Sequence, residues 1–246
     1  MSDKNNMPAR KKNAISRKNF FKYAGASAVT AVAVGLYGCD ESPVMTQTEG
    51  KPGTGPSSKA DTVDLGSGDI GILNYAYALE QLEAAFYIQV LENAYSNMSA
   101  DEGSVLEDLR SHEIAHRDFY NAELGSSAIP PLEVDFSSID FSDRAMVLQT
   151  ARTFEDLGVS AYNGAAHLIQ DPKKLLVAGK IVSVEARHAA AIRDLIGTME
   201  DDNIIDENGL DVVRSPGNVL SIVDPYVVTE IDASGLPQPQ ITYPES

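Results

Sequence analysis

Residues 111–125 read SHEIAHRDFYNAELG, and residues 183–197 read SVEARHAAAIRDLIG. Both place Ser first, Glu third, His sixth and Gly fifteenth, in a chain with only four histidines. On an α-helix, positions i and i+3 lie on one face, so Glu113 with His116, and Glu185 with His188, each present a carboxylate and an imidazole to one point. The terminal glycines, Gly125 and Gly197, suit the turn that ends a helix. The spacing therefore predicts two helices carrying equivalent donor pairs.

Further helices follow on either side. From Asp69 to about Ser96, Ile72, Leu73, Tyr75, Ala76, Leu79, Leu82, Phe86 and Val90 recur at helical spacing. Ser99 and Glu102 form an S-x-x-E capping box that opens the helix ending at Gly125. The next stretch, GSSAIPPLEVDFSSIDF (125–141), contains Pro130 and Pro131 and is not a regular helix. Ser142 and Asp143 reopen a helical pattern that reaches about Gln170, and Asp171–Pro172 caps a fourth helix ending near Gly197. The expected fold is all-α, with four long helices joined by short, long and short links. A 17-residue middle link at roughly 3.3 Å per residue reaches over ~50 Å, whereas a helix of about 24 residues is only ~36 Å long. It is long enough to be the one long crossover, between helices two and three, of a four-helix bundle spanning residues 69–200. Residues 201–246 mix acidic, Pro-containing and short apolar stretches, and are expected to be a mostly irregular extension packed on the bundle.

Two such pairs on antiparallel helices could share a pair of metal ions, and two metal ions need more negative charge than Glu113 and Glu185 supply. The other two helices contain EQLEAAFY and EDLGVSAY, which set Glu80 seven residues before Tyr87 and Glu155 seven residues before Tyr162. Counted from the expected helix starts, Glu80 lies 11 residues in, Glu113 13, Glu155 12 and Glu185 13. All four are near mid-helix, where antiparallel neighbours share a level. Buried carboxylates cost several kcal/mol each unless paired, hydrogen-bonded or metal-bound. Glu83 lies three residues after Glu80 on a similar face and competes with it as the donor from the first helix. Tyr87 and Tyr162 are either core residues or hydrogen-bond partners of an outer carboxylate. His112 and His167 have no matching pattern and are read as ordinary. The plain alternative for the whole set is a helical scaffold without a working site.

Residues 1–39 hold 7 of the 19 Lys and Arg but 1 of the 36 Asp and Glu, which leaves a net charge of −23 beyond residue 39. Such a surface repels nucleic acid and attracts small cations. The basic start leads into YAGASAVTAVAVGLY, an apolar run of 15 residues that is short for a membrane span and fits an export signal over residues 1–39. SRKNFFK (16–22) resembles the twin-arginine export motif, with Arg17–Lys18 where that motif has two arginines, so ordinary export of the unfolded chain remains an alternative. LYGC (36–39) is similar to a bacterial lipobox, which implies a lipid on Cys39, the only cysteine, and attachment to a membrane; the alternative is a cleaved soluble protein. Residues 40–68, rich in Gly, Pro, Ser and Thr, read as a flexible tether.

At LNYAYALEQLEAAFY and SHEIAHRDFY the chain resembles the ferritin-like superfamily, and with its extended tail it looks like the exported bacterial ferritin-like-domain group. The resemblance implies two iron or manganese ions per chain, with Glu80 and Glu155 as terminal ligands, Glu113 and Glu185 bridging, and His116 and His188 giving one nitrogen to each metal. It implies an oxidoreductase acting on O2, peroxide or Fe(II) in the periplasm-facing cell envelope. The alternative is a non-catalytic structural or stress-protection module. A lipid anchor and a wrapping tail suit a monomer or small homo-oligomer better than a storage cage.

Overall fold

The computed structural model describes residues 62–198 and 204–237. The expected export signal (1–39), Cys39 and most of the expected tether lie outside the described residues. Four long helices dominate: α1 (Gly68–Glu92), α2 (Ala100–Leu124), α3 (Arg144–Ala165) and α4 (Pro172–Ile196). Their starts follow local chemistry. The Ser99 hydroxyl accepts from the Glu102 amide at 3.2 Å, the Asp143 carboxylate from the Ala145 amide at 2.8 Å, and the Asp171 carboxylate from the Lys173 amide at 2.8 Å. These bonds satisfy amides that the first turn leaves unpaired. Gly125 and Gly197 end α2 and α4 at φ of 53° and 85°, a region costly for residues with a Cβ.

The helices pack chiefly as α1 on α2 and α3 on α4, with α1 also touching α3 and α2 touching α4. Every residue of α1 from Gly71 to Ala84 is buried. A helix apolar or buried on all sides sits inside its domain, and α1 is enclosed by its neighbours, the 125–143 link and the C-terminal extension. The link climbs α1. Near its start the Asn74 amide donates to the carbonyl oxygen of Ser127 at 2.9 Å and accepts from the Ile129 amide at 3.0 Å. Higher up, Gln81 Oε1 accepts from the Leu132 amide at 2.8 Å, and the Phe86 ring meets Phe136 and Phe141 at 5.9 and 6.1 Å between centroids.

Two sequence-based boundaries shift. Helix α1 ends at Glu92, short of Ser96, and α3 ends at Ala165, with a 3-10 turn over Ala166–Leu168 leading to Asp171. That corner is tied to the start of α1, because the Asp69 carboxylate accepts from the amides of Gln170 and Asp171 at 2.7 and 2.9 Å. Within the stretch read as tether, Val63–Asp64 forms strand β1, which pairs in parallel with β2 (Ile231–Asp232), and Leu65 is fully buried.

The extension also contains a short helix, α5 (Pro216–Val223), which buries Val219 and Val223 and packs on α3. Just before it, the Arg214 amide donates to the Ser160 carbonyl oxygen at 3.1 Å. A Cβ on Gly164 would stand 1.8 Å from the Arg214 carbonyl oxygen, so this crossing of the extension over α3 requires glycine. Among the described residues, no helix is long and apolar enough to cross a membrane.

Candidate metal centre

At mid-height the helices converge five glutamates into the core. Glu80, Glu113, Glu155 and Glu185 have no exposed surface and Glu83 has 4%. Such a concentration of acid requires compensation, and the nearby cations are imidazoles. His116 Nδ1 lies 3.3 Å from Glu80 Oε2, 3.6 Å from Glu113 Oε2 and 3.1 Å from Glu185 Oε1. His188 Nδ1 lies 2.7 Å from Glu113 Oε1, 3.3 Å from Glu155 Oε2 and 3.8 Å from Glu185 Oε2. Each imidazole thus gathers three carboxylate oxygens. Glu113 and Glu185 serve both groups, sending one oxygen to each.

The hydrogen-bond pattern has the same division. The outer oxygens of Glu80 and Glu155 are held by phenols: Tyr162 donates to Glu80 Oε1 and Tyr87 to Glu155 Oε1. The remaining atoms (Glu80 Oε2, Glu155 Oε2, both oxygens of Glu113 and of Glu185, and Nδ1 of His116 and His188) are buried without an aligned hydrogen bond. Buried polar atoms in native proteins are nearly always satisfied, so an orphaned set converging on one place is the expected appearance of a cation site. Glu80, Glu113, His116 and Glu185 form one set, and Glu113, Glu155, Glu185 and His188 the other; within each, one donor atom per residue lies within 4.8 Å of the others. Either set could hold a metal ion. Hard oxygens with one imidazole suit iron or manganese, and among the described residues there is no thiolate to favour copper(I).

Without a metal, protons supply the compensating charge. Burial alone depresses His116, but the close carboxylates of Glu113, Glu185 and Glu80 outweigh it and push the imidazole up to about 12. His188 is likewise raised against burial, by Glu155, Glu113 and Glu185. Burial and the charge of Glu185 raise Glu113, and burial raises Glu155. Burial also raises Glu83, helped by Glu185, Glu113, Glu155 and Glu80. Burial pulls Glu185 upward too, but the two imidazoles overcome it and hold the carboxyl at about 2. A bound cation would displace these protons.

The structure brings together all six residues singled out as donors. It also places Glu80, and not Glu83, in a donor set, although both are buried on α1. The tyrosines pair crosswise, Tyr87 with the glutamate of α3 and Tyr162 with that of α1. Seven residues of helix rise about 10.5 Å, too far for a tyrosine to bond the glutamate of its own E-x6-Y segment. The exchange shows that α1 and α3 run antiparallel, since residue 80 meets 162 and 87 meets 155.

His112, read as ordinary, is a neighbour of the site: its Nδ1 is 2.9 Å from His188 Nε2, and the rings stack at 5.1 Å with 9° between planes. His112 is exposed while His188 is buried, so the pair links the cluster to the surface. Burial and the charges of His188 and His116 lower its pKa, which favours a neutral ring whose Nδ1 accepts a hydrogen bond from the His188 Nε2–H. Tyr120 also went unread; its hydroxyl is 3.0 Å from that of Tyr162. Gly158 supplies room, because a Cβ there would lie 3.2 Å from Glu83 Oε1 and 3.3 Å from Glu185 Oε2. A glycine inside a helix three residues after Glu155 was the available signal.

Long helices carrying a buried carboxylate–histidine cluster define a helical protein of the ferritin-like class. The chain belongs to the ferritin-like domain family, whose model matches residues 68–198. No curated protein matches it.

Proposed function

We propose that this protein is an envelope-anchored oxidoreductase whose four long helices form the ferritin-like bundle, with the 125–143 segment as its long crossover. In this reading it holds two iron or manganese ions. Glu80 and His116 would hold one ion, Glu155 and His188 the other, and Glu113 and Glu185 would each offer one oxygen to each ion. The observation that carries the reading is the pair of carboxylates, Glu113 and Glu185, whose four orphaned oxygens divide evenly between the two imidazoles.

An iron or manganese pair, when bound, would supply electron-transfer chemistry toward O2, peroxide or Fe(II). The chain's residues prepare that chemistry. Tyr87 and Tyr162 fix the outer oxygens of Glu155 and Glu80, so each terminal carboxylate presents its other oxygen inward. Buried apolar side chains beside Glu83, Leu82 and Phe154 among them, keep bulk water out. His112 orients His188 through its outer nitrogen and gives that imidazole a polar outlet to solvent. Export by residues 1–39, a lipid on Cys39 and a tether that starts at residue 40 and stops short of β1 complete the proposal, with the protein facing the periplasm as a monomer or small homo-oligomer.

Metal content per chain, measured after purification without chelator, tests the site beside the Glu113→Ala/Glu185→Ala double variant. About two iron or manganese per chain, lost in the variant at unchanged helicity, is the expected result. No metal in either protein after anaerobic Fe(II) loading would leave the non-catalytic module as the function.

A further inference from the structure

Residues 172–184 read PKKLLVAGKIVSV, with three lysines and no acid. The chain carries a net charge of −23 beyond residue 39, yet Lys173, Lys174 and Lys180 are the only lysines among the described residues. All three lie within the first three turns of α4. Between them, Leu175 and Leu176 are 40% and 63% exposed. Helical periodicity puts Leu176 opposite the buried Ala178 and Glu185, so it points away from the core. Lys180 and Arg187 continue the same outer face and are exposed, with no acid between Leu176 and Arg187 other than the buried Glu185.

This patch lies at the end of the protein where the chain enters from β1. Strand β1 leads through Leu65 into α1, and Asp69, in the first turn of α1, accepts from the amides of Gln170 and Asp171 just before α4. Ile70 and Phe119 add exposed apolar surface at the same end, Ile70 next to Asp69 and Phe119 on a cavity wall shared with Lys173 and Val177. The local acids are turned elsewhere. Asp69 pairs with Lys174 at 3.7 Å, and Glu123 and Asp171 border the cavity, whereas Lys180 stands on the outer face one turn beyond Leu176.

We infer that this face of α4 rests on an anionic phospholipid bilayer, with Leu175 and Leu176 at the boundary of headgroups and acyl chains and Lys173 and Lys180 against the phosphates. Apolar side chains flanked by lysines are what a surface needs to lie on such a membrane. A second copy of the chain fits less well. A two-fold contact would set the same lysines against one another, and two leucines fall far short of the roughly 800 Å² per partner of a stable interface. The inference rests on the membrane attachment in the proposed function and not on its metal centre. The tether from residue 40 to β1 makes the approach of this end intramolecular, so a contact too weak to hold a free protein suffices.

The test uses the full-length chain in chelator with Cys39→Ser and one environment-sensitive fluorophore, attached at Gly179→Cys, where an added Cβ meets nothing within 4 Å. A second protein carries the fluorophore at Glu92→Cys, exposed at the far end of α1. Each is reconstituted from detergent into phosphatidylglycerol–phosphatidylethanolamine vesicles containing a nitroxide-labelled lipid, and collected by flotation. Blue-shifted emission quenched by the nitroxide is expected at position 179 and absent at position 92. Replacing phosphatidylglycerol by phosphatidylcholine, or introducing Lys173→Glu/Lys180→Glu or Leu176→Ser at unchanged helicity, should abolish the shift and the quenching at 179. Equal signals at 179 and 92, or protein that fails to float with the vesicles, would overturn the membrane face. The same blue shift at 179 without vesicles, at the mass of a dimer, would overturn it in favour of a second copy. Because metal and Cys39 are both absent, failure here leaves the metal centre and the lipid to be judged by metal content and by the mass of the mature chain.

Discussion

Gly158→Ala should stabilise the metal-free helix while damaging the proposed metal centre, and the two effects can be measured separately. The added Cβ would stand 3.2 Å from Glu83 Oε1 and 3.3 Å from Glu185 Oε2, inside ordinary van der Waals contact. Both oxygens must retreat by a few tenths of an ångström, comparable with the ~0.2 Å tolerance of metal–ligand distances. Glu185 Oε2 is the oxygen facing His188, so the ion on that side should weaken first, by the 10- to 100-fold typical when a ligand's support is disturbed. Meanwhile, replacing an interior helical glycine by alanine favours the helix by about 0.5–1 kcal/mol. For a domain of this size that raises Tm by roughly 1–4 °C. Circular dichroism melts in chelator give the first quantity, and a metal titration against a competing chelator gives the second. Wild-type affinity for both ions, or a lower Tm in chelator, would refute the reasoning: either result would mean that the space beside Gly158 is not what positions Glu185.

The crossed tyrosines make a second prediction: Tyr87→Phe should weaken the ion held with His188, and Tyr162→Phe the ion held with His116. Each substitution leaves one buried oxygen unpartnered, at a cost of about 1–3 kcal/mol; titrations showing the opposite assignment would mean that each tyrosine serves its own helix's glutamate. The third prediction concerns pH. In the metal-free chain, the stability from His116, raised to about 12, is full below its ordinary value of roughly 6.5 and is lost as pH rises toward about 12. Glu83 and Glu113, both raised, keep protons that the unfolded chain releases above roughly pH 4.5, so they too make stability fall as pH rises. Glu185 has the opposite sign: its contribution is present above roughly 4.5 and is lost as pH falls toward about 2. Melts in chelator should therefore fall from about pH 5 to pH 9, and Mn(II) should flatten the trend by replacing protons; a Tm that climbs over that window without metal would contradict the proton-filled cluster.

Much of this architecture is local and was therefore readable along the chain. Ser99, Asp143 and Asp171 cap helices because a side-chain oxygen beside a first turn needs only its own backbone. Gly125 and Gly197 end them because only glycine takes a positive φ without steric cost. The spacing of Glu113 to His116, and of Glu185 to His188, put each pair on one helix face before any packing was known. What the sequence could not settle depends on which helices meet and in which direction. The E-x6-Y spacing, repeated in two helices, is compatible with partners on either one, and only the antiparallel contact of α1 with α3 makes the exchange crosswise. Glu80 and Glu83 are nearly equivalent along α1, and only the neighbours separate them, with His116 against Glu80 and Gly158 against Glu83. His112 lacks a local pattern because its partner, His188, is 76 residues away on another helix. Helical periodicity determined which residues share a face; the directions and depths at which the helices pack decided which atoms meet, because those contacts depend on pairs of elements that no single stretch of sequence contains.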